Sequence, residues 1–117
     1  MQKDERIYLA HMLSAALEAQ RYTKGKTYDD FQADSGLRRQ PERMAEIIGE
    51  AARLVPQSLR DAYPQIAWSA IVGMRNRIVH NYLNRDYKIL WDTMTLAIPT
   101  LVAELEKIVP PEMRAEQ

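Results

Sequence analysis

Apolar side chains at Ile7, Ala10, Leu13 and Leu17, widened by Leu9, Met12 and Ala16, recur at helical spacing between residues 4 and 22, with charges on the remaining face. This predicts a long amphipathic helix. Thr23-Lys24-Gly25-Lys26 breaks the pattern, and Thr27 is placed to cap a short turn through Tyr28-Asp29-Asp30-Phe31. Ser35-Gly36 predicts a second break. From about Leu37 to Leu54 the chain again reads helical, with Pro41 in a first turn and Met44, Ile47, Ile48, Ala51 and Leu54 recurring at the right intervals. Pro56 stops it, Gln57 to Tyr63 has room for one or two turns, and Pro64 closes that piece. A third long helix runs from about Trp68 to an end near Asn81 to Asn84, asparagine being suited to a left-handed helix terminus. Asp86 caps a last helix with Ile89, Leu90, Met94, Ile98, Leu101, Leu105 and Ile108 as its inner stripe. Pro99 removes one backbone bond at a cost of ~3 kcal/mol, and because the stripe stays in phase beyond it, a kink is expected rather than two helices. Pro110-Pro111 marks the end of an ordered core of about residues 4–109.

No strand alternation, repeat, linker or low-complexity tract interrupts this reading. It predicts an all-α fold: a four-helix up-down bundle with short extra helical turns and a kinked last helix, in one domain over residues 1–117. A chain of 117 residues is long enough to bury a core without staples, and it has no cysteine, which excludes disulfides, thiol nucleophiles and thiolate zinc sites. The charged N-terminus does not read as a signal peptide and no stretch reaches the ~20 apolar residues of a membrane span, so a cytoplasmic protein with no membrane partner is expected. Sixteen basic and sixteen acidic residues cancel. Any RNA contact must therefore be local, and weak colloidal repulsion makes self-association easy.

The third helix holds the chemistry. Its stripe of Trp68, Ile71, Val72, Val79 and Tyr82 places Arg75 where an apolar residue would complete the series, so an inward guanidinium is expected. Such a group must meet an acid, with Glu46 and Glu50 as candidates, or line a cleft that receives a polar ligand. His80 follows five positions later, about 140° around an ideal helix, while Asn76 lies one turn from His80 and is placed to orient it. Two copies packed with their third helices side by side would bring an arginine and a histidine from each chain into one groove. These groups suit metal-independent phosphodiester chemistry on RNA: imidazole moves protons for the 2'-hydroxyl and the leaving oxygen, and arginine stabilises charge at phosphorus. No His-Glu-x-x-His, glycine-rich phosphate loop or nucleophile elbow competes with it.

The run Arg75-Asn76-Arg77-Ile78-Val79-His80-Asn81-Tyr82 resembles the Arg-x4-6-His-x-Tyr signature of HepT-like proteins of the HEPN superfamily, with no departure at its fixed positions. Ile47-Ile48-Gly49-Glu50-Ala51-Ala52, Tyr63-Pro64-Gln65-Ile66-Ala67-Trp68, Gly73-Met74-Arg75-Asn76-Arg77 and Ile89-Leu90-Trp91-Asp92-Thr93 resemble family segments in family order. Ala67 stands where a proline often precedes the tryptophan. The resemblance implies a homodimeric ribonuclease toxin of a type VII toxin-antitoxin pair, with tRNA among the RNA substrates the family implies. Its antitoxin resembles MntA, a minimal nucleotidyltransferase that transfers AMP to the signature tyrosine. Carried over, Arg75 and His80 are the nuclease residues and Tyr82 the site of adenylylation. Any metal belongs to the antitoxin, and no cofactor is implied for this chain.

Plainer readings stand beside these. Arg75 also reads, with less weight, as a structural arginine salt-bridged to Glu46 or Glu50, His80 as a helix-terminal residue and Asn76 as an exposed polar residue, while for Tyr82 a packing aromatic stands level with the modification site. Arg77 and Arg85 can hold RNA phosphates or simply be solvated. Arg38-Arg39 reads as surface charge, His11 as an ordinary helix-face residue, and Trp68 and Trp91 as core or dimer packing. The competing function is a non-catalytic helical module that serves as recognition partner of a nucleotidyltransferase; a purely structural four-helix dimer is the third.

Overall fold

The computed structural model describes residues 4–114, and every regular element among them is helical. In chain order these are α1 (Ile7–Thr23), α2 (Tyr28–Ala33), α3 (Ser35–Leu54), α4 (Gln57–Ala62), α5 (Trp68–Leu83), α6 (Lys88–Asp92), a π-helical turn (Thr93–Ala97), α7 (Ile98–Ile108) and a 3-10 turn (Pro111–Met113). The four long elements of the predicted bundle are α1, α3, α5 and the continuous α6–π–α7 segment, with α2 and α4 as the short extra turns. No helix among the described residues is long and apolar enough to cross a membrane.

The order of packing follows from how much of each helix is apolar. On α1, Leu9, Ala10, Met12, Leu13, Ala15, Ala16 and Ala19 are all buried, too wide a set for a single face. The helix therefore sits centrally, with α3 and α7 against it, and α5 packs on α3. The core joins Leu9, Met12 and Leu13 to Ile48, Met94, Ile98 and Leu105, each at most 1% exposed. Each such side chain contributes about 1.5–3 kcal/mol by leaving water. Gly49 sets the spacing between α3 and α5: a Cβ there would lie 3.3 Å from the Ile71 carbonyl oxygen, so only glycine allows this approach without a shift.

The local signals act mostly as expected. The Thr27 hydroxyl accepts from the Asp30 amide at 3.1 Å and the Asp30 carboxylate accepts from the Thr27 amide at 3.0 Å, a complete capping box for α2. Asp86 accepts from the Lys88 amide at the start of α6.

Three details differ. Ser35-Gly36 is not a break, because the Asp34 carboxylate accepts from the Gly36 amide at 2.8 Å and starts α3 there, leaving Pro41 inside the helix rather than in its first turn. The left-handed residue after α5 is Arg85 (φ 59°) rather than an asparagine. Its amide donates to the Tyr82 carbonyl and the Asp86 amide donates to the Asn81 carbonyl, the paired bonds of a Schellman end. Before Pro99, the expected kink takes the form of the π-turn: the Ile98 amide reaches back five residues to the Thr93 carbonyl, and the wider turn absorbs the missing proline donor while Met94, Ile98, Leu101 and Leu105 all stay buried. Past Pro110 the chain forms its 3-10 turn, and Arg114 donates to the carbonyls of Glu106 and Val109.

Candidate functional site on α5

The buried line of α5 runs through Trp68, Met74 and Ile78, with Ile71 and Val72 partly buried beside it. Arg75 flanks this line instead of completing it, so the expectation of an inward guanidinium is corrected: its side chain is 51% exposed. The acid it meets is Glu46, across the α3–α5 contact that Gly49 keeps short. Arg75 Nε donates to Glu46 Oε1 at 2.9 Å. That bond, followed by the charge of Glu46 and then of Glu50 and Glu42, raises the guanidinium pKa above its ordinary value. Among the described residues Nη1 and Nη2 of Arg75 make no hydrogen bond.

His80 is exposed near the C-terminal end of α5, and its imidazole has no hydrogen-bond partner among the described residues. Its backbone carbonyl accepts from Asn84 Nδ2 at 3.1 Å. Asn76 is exposed one turn earlier, and no hydrogen bond joins it to His80. Leu83, 78% exposed, continues the same side of the helix. Arg77 and Arg85 are both exposed; Arg77 faces another way, over Gly73 and onto a cleft of about 410 Å³ between α5 and α7. Within one chain Arg75 and His80 therefore flank an open strip of helix and do not share a pocket.

Tyr82 is partly buried and packs edge-on against Tyr87, with ring centroids 5.2 Å apart. Beneath both rings lies Arg38, 3.7 Å from the Tyr87 centroid and 5.8 Å from that of Tyr82. The reading of Arg38 as surface charge is corrected here: it is 6% exposed, and its Nη1 donates to the carbonyls of Phe31 at 2.7 Å and Gln32 at 2.8 Å, at the end of α2. The buried arginine of this fold is thus Arg38, not Arg75. A signal for it stands in the sequence, since residue 38 continues the buried series Pro41, Ala45, Ile48 and Ala52 at alternating steps of three and four. Arg39 is exposed.

His11 lies on a groove between α1 and α3 with Tyr8, Arg43, Glu46 and Leu54, and meets Tyr8 edge-on at 6.5 Å. Trp68 is buried and donates from its indole nitrogen to the Tyr63 carbonyl; Trp91 packs on Phe31 at 5.3 Å. Both are packing residues, as the spacing predicted. Among the described residues no group of three or more His, Asp or Glu side chains is placed to hold a metal ion.

An all-α HEPN-like bundle that displays an arginine, a histidine and a tyrosine in Arg-x4-His-x-Tyr spacing on one helix defines the class of this protein. The family model described as Ribonuclease HepT-like matches residues 12–108. "Putative RNase TTE0752" of Caldanaerobacter subterraneus subsp. tengcongensis is 34% identical over 110 residues, covering 94% of this chain and 98% of that protein. "Probable ribonuclease HepT" of Thermococcus cleftensis is 30% identical over 108 residues, covering 92% and 98%. No solved structure matches the chain. The chain belongs to the HepT-like ribonuclease family.

Proposed function

We propose that this protein is the toxin of a toxin-antitoxin pair, a metal-independent endoribonuclease that acts as a cytoplasmic homodimer through Arg75 and His80. The observation that carries the reading is the intact signature on α5 with its working atoms uncommitted: the imidazole of His80 and both Nη nitrogens of Arg75 are open to a ligand. In the proposed reaction one imidazole takes the proton of a ribose 2'-hydroxyl, whose oxygen forms a bond to the adjacent phosphorus. The P–O5' bond breaks, an imidazolium donates a proton to the departing oxygen, and the products are a 2',3'-cyclic phosphate and a 5'-hydroxyl end. The Nη pair of Arg75 stabilises the non-bridging oxygens as charge grows on them. Asn76 supports His80, and Arg77 and Arg85 hold flanking phosphates.

Dimerisation supplies what one chain lacks. Val72, Asn76, Val79 and Leu83 follow one another at steps of four, three and four, the spacing of a helix-pairing seam, with Arg75 on one side of it and His80 on the other. An antiparallel pairing of two α5 helices about a point between Arg77 and Ile78 levels Val72 with the partner's Leu83 and sets the two arginines along one rim of the seam and the two histidines along the other, so that RNA lying across the seam meets both kinds of group. The 78% exposure of Leu83 fits a residue awaiting such a neighbour. Tyr82 is the acceptor of AMP from an MntA-like nucleotidyltransferase antitoxin; the added phosphate falls within the reach of basic side chains and closes the groove to RNA.

The test is cleavage of total RNA by the purified chain. His80→Ala and Arg75→Ala are expected to lose about 10²–10⁴-fold in rate while melting as the wild type does, since both side chains are exposed. Co-expression with the nucleotidyltransferase is expected to add AMP mass at Tyr82 and to silence cleavage. Equal cleavage by wild type and His80→Ala sinks the reading. The ion pair that already occupies Arg75 and the zero net charge favour a second one, a non-catalytic recognition partner of the nucleotidyltransferase. RNA left intact by the unmodified dimer would establish it.

A further inference from the structure

Glu46 lies 29 residues before Arg75 on a different helix, and it is the residue that fixes the arginine's direction. The contact is between Nε and Oε1 alone. A carboxylate that gripped the guanidinium through both Nη nitrogens would use up the fork that phosphate needs; one that holds Nε leaves that fork free. The pair is half exposed on both sides, 51% for Arg75 and 43% for Glu46, so it contributes little to stability. A guanidinium on a four-bond stem otherwise samples many rotamers, and a bond at its innermost nitrogen removes most of them before substrate arrives. Glu42 and Glu50, one turn to either side of Glu46, add attraction without any hydrogen bond to Arg75. Among the described residues only Glu46 forms a hydrogen bond with it.

We infer that Glu46 is a positioning residue for the ribonuclease reaction, holding Arg75 by Nε so that its two Nη nitrogens meet the scissile phosphate. This inference rests on the assignment of Arg75 to the reaction. The test compares Glu46→Gln, whose amide oxygen still accepts from Nε, with Glu46→Met, which has the same length and helix propensity and no acceptor of comparable strength. Two quantities are read: steady-state cleavage of RNA, and the mobility of the Arg75 Nε–H by ¹⁵N relaxation.

Glu46→Gln is expected to stay within about threefold of wild type. Glu46→Met is expected to lose about ten- to a hundredfold in kcat with KM nearly unchanged and an unaltered melting temperature. The Nε–H is expected to be rigid in wild type and Glu46→Gln and mobile in Glu46→Met. Equal kcat for the two variants overturns the inference, and so does an Nε–H as mobile in wild type as in Glu46→Met. Full activity in Arg75→Ala, or a wild-type chain that cleaves no RNA, overturns the functional assignment and the inference with it. Failure of the inference alone is distinguished by an active wild type, an inactive Arg75→Ala and an indifferent Glu46→Met.

Discussion

Arg38 and Arg75 show how differently two arginines act in one small fold. The guanidinium of Arg38 is buried, bonded to two carbonyls at the end of α2 and covered by the Tyr87 ring, so it ties α2, α3 and the start of α6 together. Its Nε is buried without a partner, which is the cost of that placement. Arg38→Met would keep the length of the side chain and lose both bonds. We expect it to lower stability by about 2–4 kcal/mol, seen as a melting temperature lower by roughly 10 °C, with Arg39→Ala close to neutral; a change under about 0.5 kcal/mol for Arg38→Met would refute the role. The sequence marks both arginines as lying on apolar stripes. It does not say which stripe is buried, because the acceptors of Arg38 and the acid that meets Arg75 come from other elements. Arg75 and His80 as candidates for the reaction and Tyr82 as candidate for adenylylation were legible through the family resemblance, and Glu46 was one of two acids the sequence offered to Arg75; the fold decides between Glu46 and Glu50 and alone brings Arg38 and Tyr87 to Tyr82.

Among the elements, the start of α2 was legible in the sequence, while the start of α3 at Ser35 and the left-handed residue after α5 were not. Thr27 caps α2 as its chemistry dictates, and Asp86 accepts from the first amide of α6 although the N-cap itself is Tyr87, whereas the end of α5 depends on which residue accepts a positive φ, and here it is Arg85. A side chain in that conformation costs about 1–2 kcal/mol relative to glycine, part of which glycine gives back through its freer unfolded chain. Arg85→Gly is therefore expected to raise stability by about 0.5–1 kcal/mol in chemical denaturation. It should also reduce the salt dependence of RNA binding by about one counterion, as loss of one phosphate contact requires. A destabilised variant would contradict the first expectation, and an unchanged salt slope the second. The π-turn before Pro99 was foreseen only as a kink, since periodicity keeps its phase across either device.

Across the whole molecule, α1 is enclosed by its neighbours while α5 is not. The helix that bears the signature rests on α3 and faces α7 over an open cleft lined by Ile66, Ala70, Met74, Leu96 and Leu101. Native-state hydrogen exchange is expected to find α5 opening at lower free energy than α1, with protection lower by roughly tenfold or more; uniform protection through both helices would contradict it. Composition and periodicity made the bundle legible down to Leu101, which is on the predicted inner stripe and buried, and Leu96, which is off it and 66% exposed; the cleft has no periodic mark, because it depends on how far α7 stands from α5. The helix that bears the signature, tethered along one flank, can yaw a little without tearing the core. If two subunits clasp each other by these helices, each clamps the other's loose edge, and a lone chain would be both a softer protein and a poorer tool.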